Sequence, residues 1–509
     1  MQDYVKLVKN LGFNEDPFAT TNADEEMSIE SYFVKPQFFD AVYGDFNRPK
    51  SSIVFAPRGG GKTALKRMIE LDSQNKTFLC VTYNNFDTAG LKLSDINYEY
   101  HLRNLVRLVL VALISGIKNK KISEVYSSDE RHYFYMFIYN YLNNIESTML
   151  KDAIKAVKNN NDKAMEWWNK FSGPIGLVLN NLFAQIGFEK IEVEKFSSAN
   201  GKLGSLEDQL RVLYELAFKA GYSSIYVLVD KVDENSLTGD AIKSFDFIEP
   251  LISSLQFLEM KGYGYKFFLW DLLQDKYQKA ARPDRVKYHN ISWDNTQMIE
   301  MLSQRVQAFS DKKIMNFSQI VEGTGISSYN FDEIISLFSN RSPRLMIRLC
   351  KEIIDRQSLI NCNVSKISIS AVLTGIDNFA KNYSEEIIDP NILRELKKVK
   401  KATFTIKYIY NEVFKFTQQA GLSKINSWQQ KGLIELIGTV QETKGAKNSN
   451  IYAINDPIVA RHILKEFNLE DFLNKKIVKC AECGAYILRD WDSMSSSICS
   501  KCDFEIILA

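Results

Sequence analysis

The segment Ala56-Pro-Arg-Gly-Gly-Gly-Lys-Thr63 constrains this chain more than any other, because its glycines and Lys-Thr sit between a short apolar run and a helical pattern. Ser51-Ser-Ile-Val-Phe55 ahead of it reads as a buried strand, and Ala64-Leu-Lys-Arg-Met-Ile behind it as a helix. That order lets backbone N–H groups turn inward as an anion nest beside the positive end of a helix. Lys62 is placed to reach β- and γ-phosphates, and the Thr63 hydroxyl to ligate Mg²⁺. Pro57, Arg58, Gly59, Gly60, Gly61, Lys62, Thr63 and Ala64 are therefore the candidate residues for holding ATP. The pattern usually opens on Gly, where this chain has Ala56, a residue excluded only from strongly left-handed backbone.

Further apolar runs predict the rest of a sheet: Thr77 to Thr82, Ile225 to Asp230 and Tyr265 to Trp270. Uniformly apolar strands alternating with helices indicate a mostly parallel α/β sheet covered on both faces. About 140 residues separate the second run from the third, and helical periodicity covers Tyr98 to Ile117, Arg131 to Ile145 and Met149 to Phe171. An α-helical insertion over about 90–215 is expected, with a short hairpin around Ile186 to Phe196. The pattern after Trp293 is helical through Asn382; Lys431 to Val440, a polar turn and Ile451 to Ile454 then suggest the ribbon of a winged helix. The expected organisation is a lead over 1–50, a phosphate-loop core over 51–300, a helical lid over 301–389, a winged helix over 390–470 and a terminal metal ribbon over 476–509.

A chain of 509 residues has room for three or four units at roughly 100–200 residues each. With 64 Lys+Arg against 62 Asp+Glu, the +2 balance disfavours a protein that binds nucleic acid over its whole surface. The N-terminus carries no secretory pattern. The greasiest stretch, Leu105 to Ile117, is interrupted by Arg107 and falls short of the roughly 20 apolar residues a bilayer requires. A cytoplasmic protein without a membrane span is expected.

A phosphate loop requires a carboxylate at the end of another core strand to orient the Mg²⁺ shell, and Asp230 is the candidate. Asp233 or Glu234 is the candidate general base for the attacking water, since Lys231 stands directly after Asp230, where many ATPases have a Glu. Asp271 follows the fourth strand as a candidate γ-phosphate sensor, against the reading of a plain surface acid. Arg344, at the start of a helix, offers an always-charged fork that suits a phosphate. Arg282, Arg285 and Arg305 are candidates for an arginine finger acting across subunits, although each alone reads more simply as a surface charge.

Four of the seven cysteines crowd into the last thirty residues as Cys480-Ala-Glu-Cys483 and, after fifteen intervening residues, Cys499-Ser-Lys-Cys502. That spacing predicts a four-thiolate Zn²⁺ ribbon in which Tyr486 to Leu488 and Phe504 to Ile507 pair as strands. Four thiolates leave no open position, so the metal's role would be structural. The densest basic run, Arg394 to Lys401, can grip phosphate backbones or simply form a solvated helix face. The chain's four histidines, His101, His132, His289 and His462, have neither metal spacing nor a nucleophile beside them.

The phosphate loop, the string Asp230-Lys-Val-Asp-Glu234, Ser342-Pro-Arg344 before a helix and the winged-helix pattern together resemble the AAA+ and STAND-type ATPases, nearest to the origin-recognition-like branch. The resemblance implies that Leu11 to Glu26 closes over the adenine, that Asp230 serves the magnesium site and that Arg344 is a second sensor. It also implies an ATP-binding and ATP-hydrolysing switch whose conformational change or homo-oligomerisation acts on a partner effector protein, in a setting such as bacterial antiviral defence. The alternatives are a DNA-binding loader or regulator, and a nucleotide-sensing scaffold that does not hydrolyse.

Overall fold

Apolar runs of five to eight residues build the sheet that carries the glycine-rich loop: β1 (Ser52–Ala56), β2 (Phe78–Tyr83), β3 (Ser224–Val229) and β4 (Tyr263–Trp270). A short fifth strand, β5 (Tyr288–Asn290), completes it. The order is β2-β3-β4-β1-β5, with every neighbouring pair parallel. Every residue of β1, β2 and β3 is buried, which is why these strands read as unbroken apolar runs instead of alternating ones. The edge strand escapes sequence reading because Tyr-His-Asn is short, polar and only partly buried. This is the α/β arrangement of a P-loop fold, and its loops open at the carboxyl ends of the strands, where ligands of open α/β sheets bind.

The computed structural model describes residues 2–26, 28–116, 122–142, 203–440, 448–489, 496–499 and 502–507. The chain divides into two compact units, Lys35–Ile291 and Met1–Val34 with Ser292–Ala509. In the first, the helices Tyr98–Gly116 and Leu206–Lys219 pack together, and Leu105, Val109, Leu213 and Leu216 join the core beside the sheet. Within the expected insertion, the aromatic stretch after His132 forms the helix Ser128–Leu142, whose Phe134, Phe137 and Ile138 are buried. The helix expected over Met149 to Phe171 and the hairpin around Ile186 to Phe196 lie outside the described residues. His101 is enclosed between the Tyr83 hydroxyl and the Phe247 carbonyl, and burial lowers its pKa to about 4, so it is a neutral core residue.

The second unit is mainly helical. Asn295–Ala308, Phe331–Phe338, Pro343–Ile360 and Ile369–Ile387 share a core of Met298, Leu302, Phe338, Leu349 and Ile376. Asp294, Asn330, Ser342 and Ser368 cap these helices by accepting from backbone N–H groups in the first turn. The helix Gln2–Asn10 packs against Pro343–Ile360. Farther on, β6 (Thr403–Thr405), β7 (Ile434–Val440) and β8 (Ser449–Ile454) form an antiparallel sheet in the order β6-β8-β7, with the helix Gln418–Gln430 before β7. The expected two-stranded ribbon therefore has a third member in Thr403–Thr405, a run too short to stand out in the sequence.

The C-terminal pairing differs from expectation. β9 (Ile477–Lys479) pairs with β10 (Tyr486–Leu488), and β11 (Ser496–Ile498) with β12 (Glu505–Ile507). Tyr486 to Leu488 therefore does not pair with the strand at 504–507. The reason is local: each Cys-x-x-Cys forms the turn of its own hairpin. Cys480 N–H donates to the Ala485 carbonyl and Gly484 N–H to the Cys480 carbonyl, and Cys499 N–H to Phe504 and Asp503 N–H to Cys499 repeat the arrangement.

Candidate functional site

The glycine-rich loop leaves β1 and enters the helix Lys62–Asp72 through Gly61, with φ of 78° at Gly59 and 101° at Gly61. Such backbone is open to glycine and strained for other residues. At Gly60 the limit is space, since a side chain would meet the Pro57 carbonyl at 3.0 Å and the Ala56 methyl at 3.3 Å. Ala56 raises no conflict, because it is the last residue of β1, in extended backbone paired with Trp270. Lys62 Nζ bends back to donate to the carbonyls of Ala56 (2.7 Å) and Pro57 (3.2 Å). The lysine therefore lies over its own loop, on the side where phosphates would meet the helix N-terminus.

Asp230 follows β3 and is 2% exposed. Thr63 Oγ1 lies 3.4 Å from Asp230 Oδ2, so two oxygen donors of the kind that Mg²⁺ accepts stand together across the end of β4. The residues fit that ion, although the carboxylate is already served by a cation of the chain. Lys66 Nζ, fully buried, lies 3.4 Å from Asp230 Oδ2 and 3.8 Å from Glu70 Oε1. Glu70 in turn pairs with Arg67 at 3.3 Å and accepts from the Thr82 hydroxyl at 2.6 Å. Sequence reading passed over Lys66. Its clue was the i,i+4 spacing of Lys66 and Glu70 on a face shared with buried Leu65 and Ile69.

The acidic pair after β3 separates into two environments. Asp233 is 8% exposed, whereas Glu234 is turned outward. Arg58, from the glycine-rich loop, donates from Nε to Asp233 Oδ2 at 2.8 Å and from Nη2 to the Asp233 carbonyl at 3.2 Å, and its guanidinium lies 4.4 Å from the Trp270 ring. Asp233 is thus drawn to the phosphate loop and Glu234 is not. Lys231 takes left-handed backbone with φ 59°, and its N–H donates to Asp230 Oδ1. Asp271, the expected sensor, accepts from the Leu272 amide, and Trp270 before it is the residue that touches Arg58.

The expected arginines have different surroundings. Arg305 is 2% exposed, paired with Glu26 at 2.7 Å and bonded to the Pro17 carbonyl, so the expectation of a surface finger is corrected: this guanidinium ties Leu11–Glu26 into the core of its own unit. Its cause is visible in the helix Asn295–Ala308, where Arg305 lies on the face with Met298, Met301 and Leu302. Arg282 pairs with Asp284 and Arg285 with Glu259, all at exposed positions. Arg344 is exposed in the first turn of Pro343–Ile360. Arg344 and Leu11–Glu26 both belong to the second unit, and the phosphate loop to the first.

The four cysteines converge. Their sulfurs all lie within 4.8 Å of one another, with Cys480 to Cys502 at 3.7 Å and Cys483 to Cys499 at 3.6 Å. Tetrahedral Zn–S bonds of about 2.3 Å place sulfurs about 3.8 Å apart, so the donor set fits Zn²⁺. Burial opposes ionisation of Cys480, but the N–H groups of Cys483 and Glu482 and the neighbouring thiols outweigh it and bring its pKa down to about 7. The first hairpin is anchored within its unit by Asn295 Nδ2 donating to the Gly484 carbonyl at 2.6 Å and by Lys479 beside Glu333 at 3.4 Å.

No family profile matches the chain, and no curated protein matches its sequence. Among solved structures it is similar to the Aeropyrum pernix ORC1 protein in complex with DNA, with TM-score 0.34 and 10% identity over 88% of this chain and 96% of that one. A Walker-type ATPase of Pyrococcus abyssi gives TM-score 0.38 and 12% identity over 85% of this chain and 96% of its own. The Aeropyrum pernix ORC2 protein in ADPNP and ADP complexes gives 0.36 and 9% over 82% and 86%. With likeness this distant, the chain's function rests on its own residues.

Proposed function

We propose that the chain is an ATP-binding and ATP-hydrolysing switch of the AAA+/STAND type, whose nucleotide state governs a conformational change or assembly that acts on a partner. The observation that carries this reading is the meeting of the glycine-rich loop, Thr63 and Asp230, with the two side chains 3.4 Å apart at the carboxyl ends of the strands. In this reading the N–H groups of Arg58 to Ala64 cradle the phosphates, and Lys62 leaves its loop carbonyls for phosphate oxygens. Thr63 and Asp230 are the proposed Mg²⁺ residues, and the bound ion would neutralise charge on the β- and γ-phosphates. Asp233 is the better placed of the two candidate bases, because Arg58 holds it at the loop while Glu234 faces outward. Arg344 keeps its proposed part as second sensor, and Zn²⁺ in the C-terminal hairpins its structural one. The lid (301–389), winged helix (390–470) and ribbon (476–509) are the proposed transmitting parts; a defence setting rests on the family resemblance alone.

Steady-state phosphate release tests the enzymatic half of this reading. Wild type should exceed Lys62→Ala and Asp233→Asn by at least about tenfold, the range expected for loss of a charged phosphate contact or a general base. Equal background from all three proteins would sink it. DNA loading is the second reading, favoured by Lys398 and Lys401 lying 5.9 Å and 4.3 Å from the rings of Phe414 and Tyr408 beside the β6–β8 sheet, a basic and aromatic face. It requires DNA binding that falls steeply with salt and drops when Lys397, Lys398, Lys400 and Lys401 are neutralised together.

A further inference from the structure

Arg58 emerges from the loop after β1, yet its partner Asp233 lies beyond the end of β3, with β4 between them in the sheet. The side chain crosses that gap by lying on Trp270, the last residue of β4, at 4.4 Å. Its Nε and Nη2 take the Asp233 carboxylate and carbonyl, a two-point grip that uses the planar fork of the guanidinium. The crossing runs over the strand ends on the loop's own side, from a residue four positions before Lys62 in the glycine-rich segment proposed above to cradle phosphates. Arg58 is half exposed and Asp233 is 7% exposed at the side chain, so the pair is weakly held at its arginine end and screened by water there.

We propose that Arg58 reads the terminal phosphate of a bound nucleoside triphosphate, exchanging its contact with Asp233 for the γ-phosphoryl oxygens. The inference rests on the nucleotide reading above and adds a residue that separates a triphosphate from a diphosphate. The γ-phosphoryl group carries more charge than a carboxylate and presents several acceptor oxygens to the same fork, so the guanidinium exchanges one anion for a stronger one. Trp270 remains the surface on which the guanidinium turns. Among the described residues Arg58 is the cation paired with Asp233, so its departure leaves that carboxylate free to accept a proton from water beside the phosphate. A diphosphate lacks the group that draws Arg58 away, and Asp233 stays clamped.

The test is equilibrium binding of ADP and of a non-hydrolysable ATP analogue, with Mg²⁺, to full-length wild type, Arg58→Lys, Arg58→Ala and Asp233→Asn, with Lys62→Ala as the reference for loss of the phosphate loop. Arg58→Ala should lose roughly tenfold to hundredfold in affinity for the analogue and keep its affinity for ADP. Arg58→Lys should recover part of the loss, and Asp233→Asn should bind the analogue more tightly than wild type because the competing anion is gone. The analogue, and not ADP, should also change tryptophan fluorescence in wild type and lose that change in Trp270→Phe. If Arg58→Ala keeps the wild-type ratio of the two affinities while Lys62→Ala abolishes binding, this inference is overturned and the nucleotide reading stands. If wild type binds neither nucleotide, both are overturned.

Discussion

At the carboxyl ends of β1, β3 and β4 the chain supplies counter-charges of its own: Lys66 beside Asp230, Arg58 on Asp233 and loop carbonyls for Lys62. The four sulfurs of the C-terminal hairpins instead face one another within 4.8 Å. Both are candidate sites for a bound ion or ligand, but they are stabilised in opposite ways. The loop site is held by internal pairs and by a sheet buried on both faces, so it stands folded while a ligand comes and goes. The thiol site belongs to two hairpins of three-residue strands. Ile477 and Leu488 of the first join the core of the second unit, but around the sulfurs the packing is a few side chains, Cys480, Ala485, Ile487, Cys499 and Ile506, a core of the size that an ion staples. On the proposed reading, one site suits exchange and the other permanence.

Removing the metal should give the largest effect. Structural Zn²⁺ contributes about 10–16 kcal/mol of apparent binding energy in small zinc-dependent peptides. Strong chelation or Cys480→Ser should therefore make the chain after residue 476 protease-sensitive, while the core carrying β1–β5 keeps its unfolding transition. Metal analysis should find one Zn²⁺ per chain before treatment. A C-terminus equally resistant with and without metal would erase the contrast between the sites.

A smaller effect is expected on the other side. Lys66→Met removes the buried cation from Asp230 and Glu70, which are 2% and 1% exposed. Breaking a buried pair by deleting one partner costs about 3–5 kcal/mol, and a lower denaturant midpoint should report it. The double change Lys66→Met with Asp230→Asn should recover part of the loss, because position 230 no longer carries charge and Glu70 keeps Arg67. If Lys66→Met left the midpoint unchanged, the loop site would not depend on its internal counter-charges.

Much of this division was legible in the residues. The glycines of the loop, the apolar runs of the parallel strands and the two Cys-x-x-Cys pairs each follow from short-range requirements, and each appears where the sequence placed it. Long-range polar contacts were hidden. Nothing in a linear reading brings Arg58 to Asp233, 175 residues away, or turns Arg305 inward onto Glu26, 279 residues away. The hairpins were misassigned for the opposite reason: local turn bonds at each cysteine pair outweighed the strand pairing that spacing alone suggested. Asp271 and Trp270 show how narrow the margin is, since one residue at the end of β4 separates an acid bonded to its own neighbour's amide from the platform under Arg58.

The central claim is that the loop after β1 binds a nucleoside triphosphate through Lys62 and its backbone nest. Calorimetric titration of a non-hydrolysable ATP analogue, with Mg²⁺, into wild type and Lys62→Ala tests it most directly. The account predicts one nucleotide per chain in wild type, with affinity reduced roughly tenfold to hundredfold in the variant. Absence of binding to wild type, or equal affinity in both proteins, would contradict it.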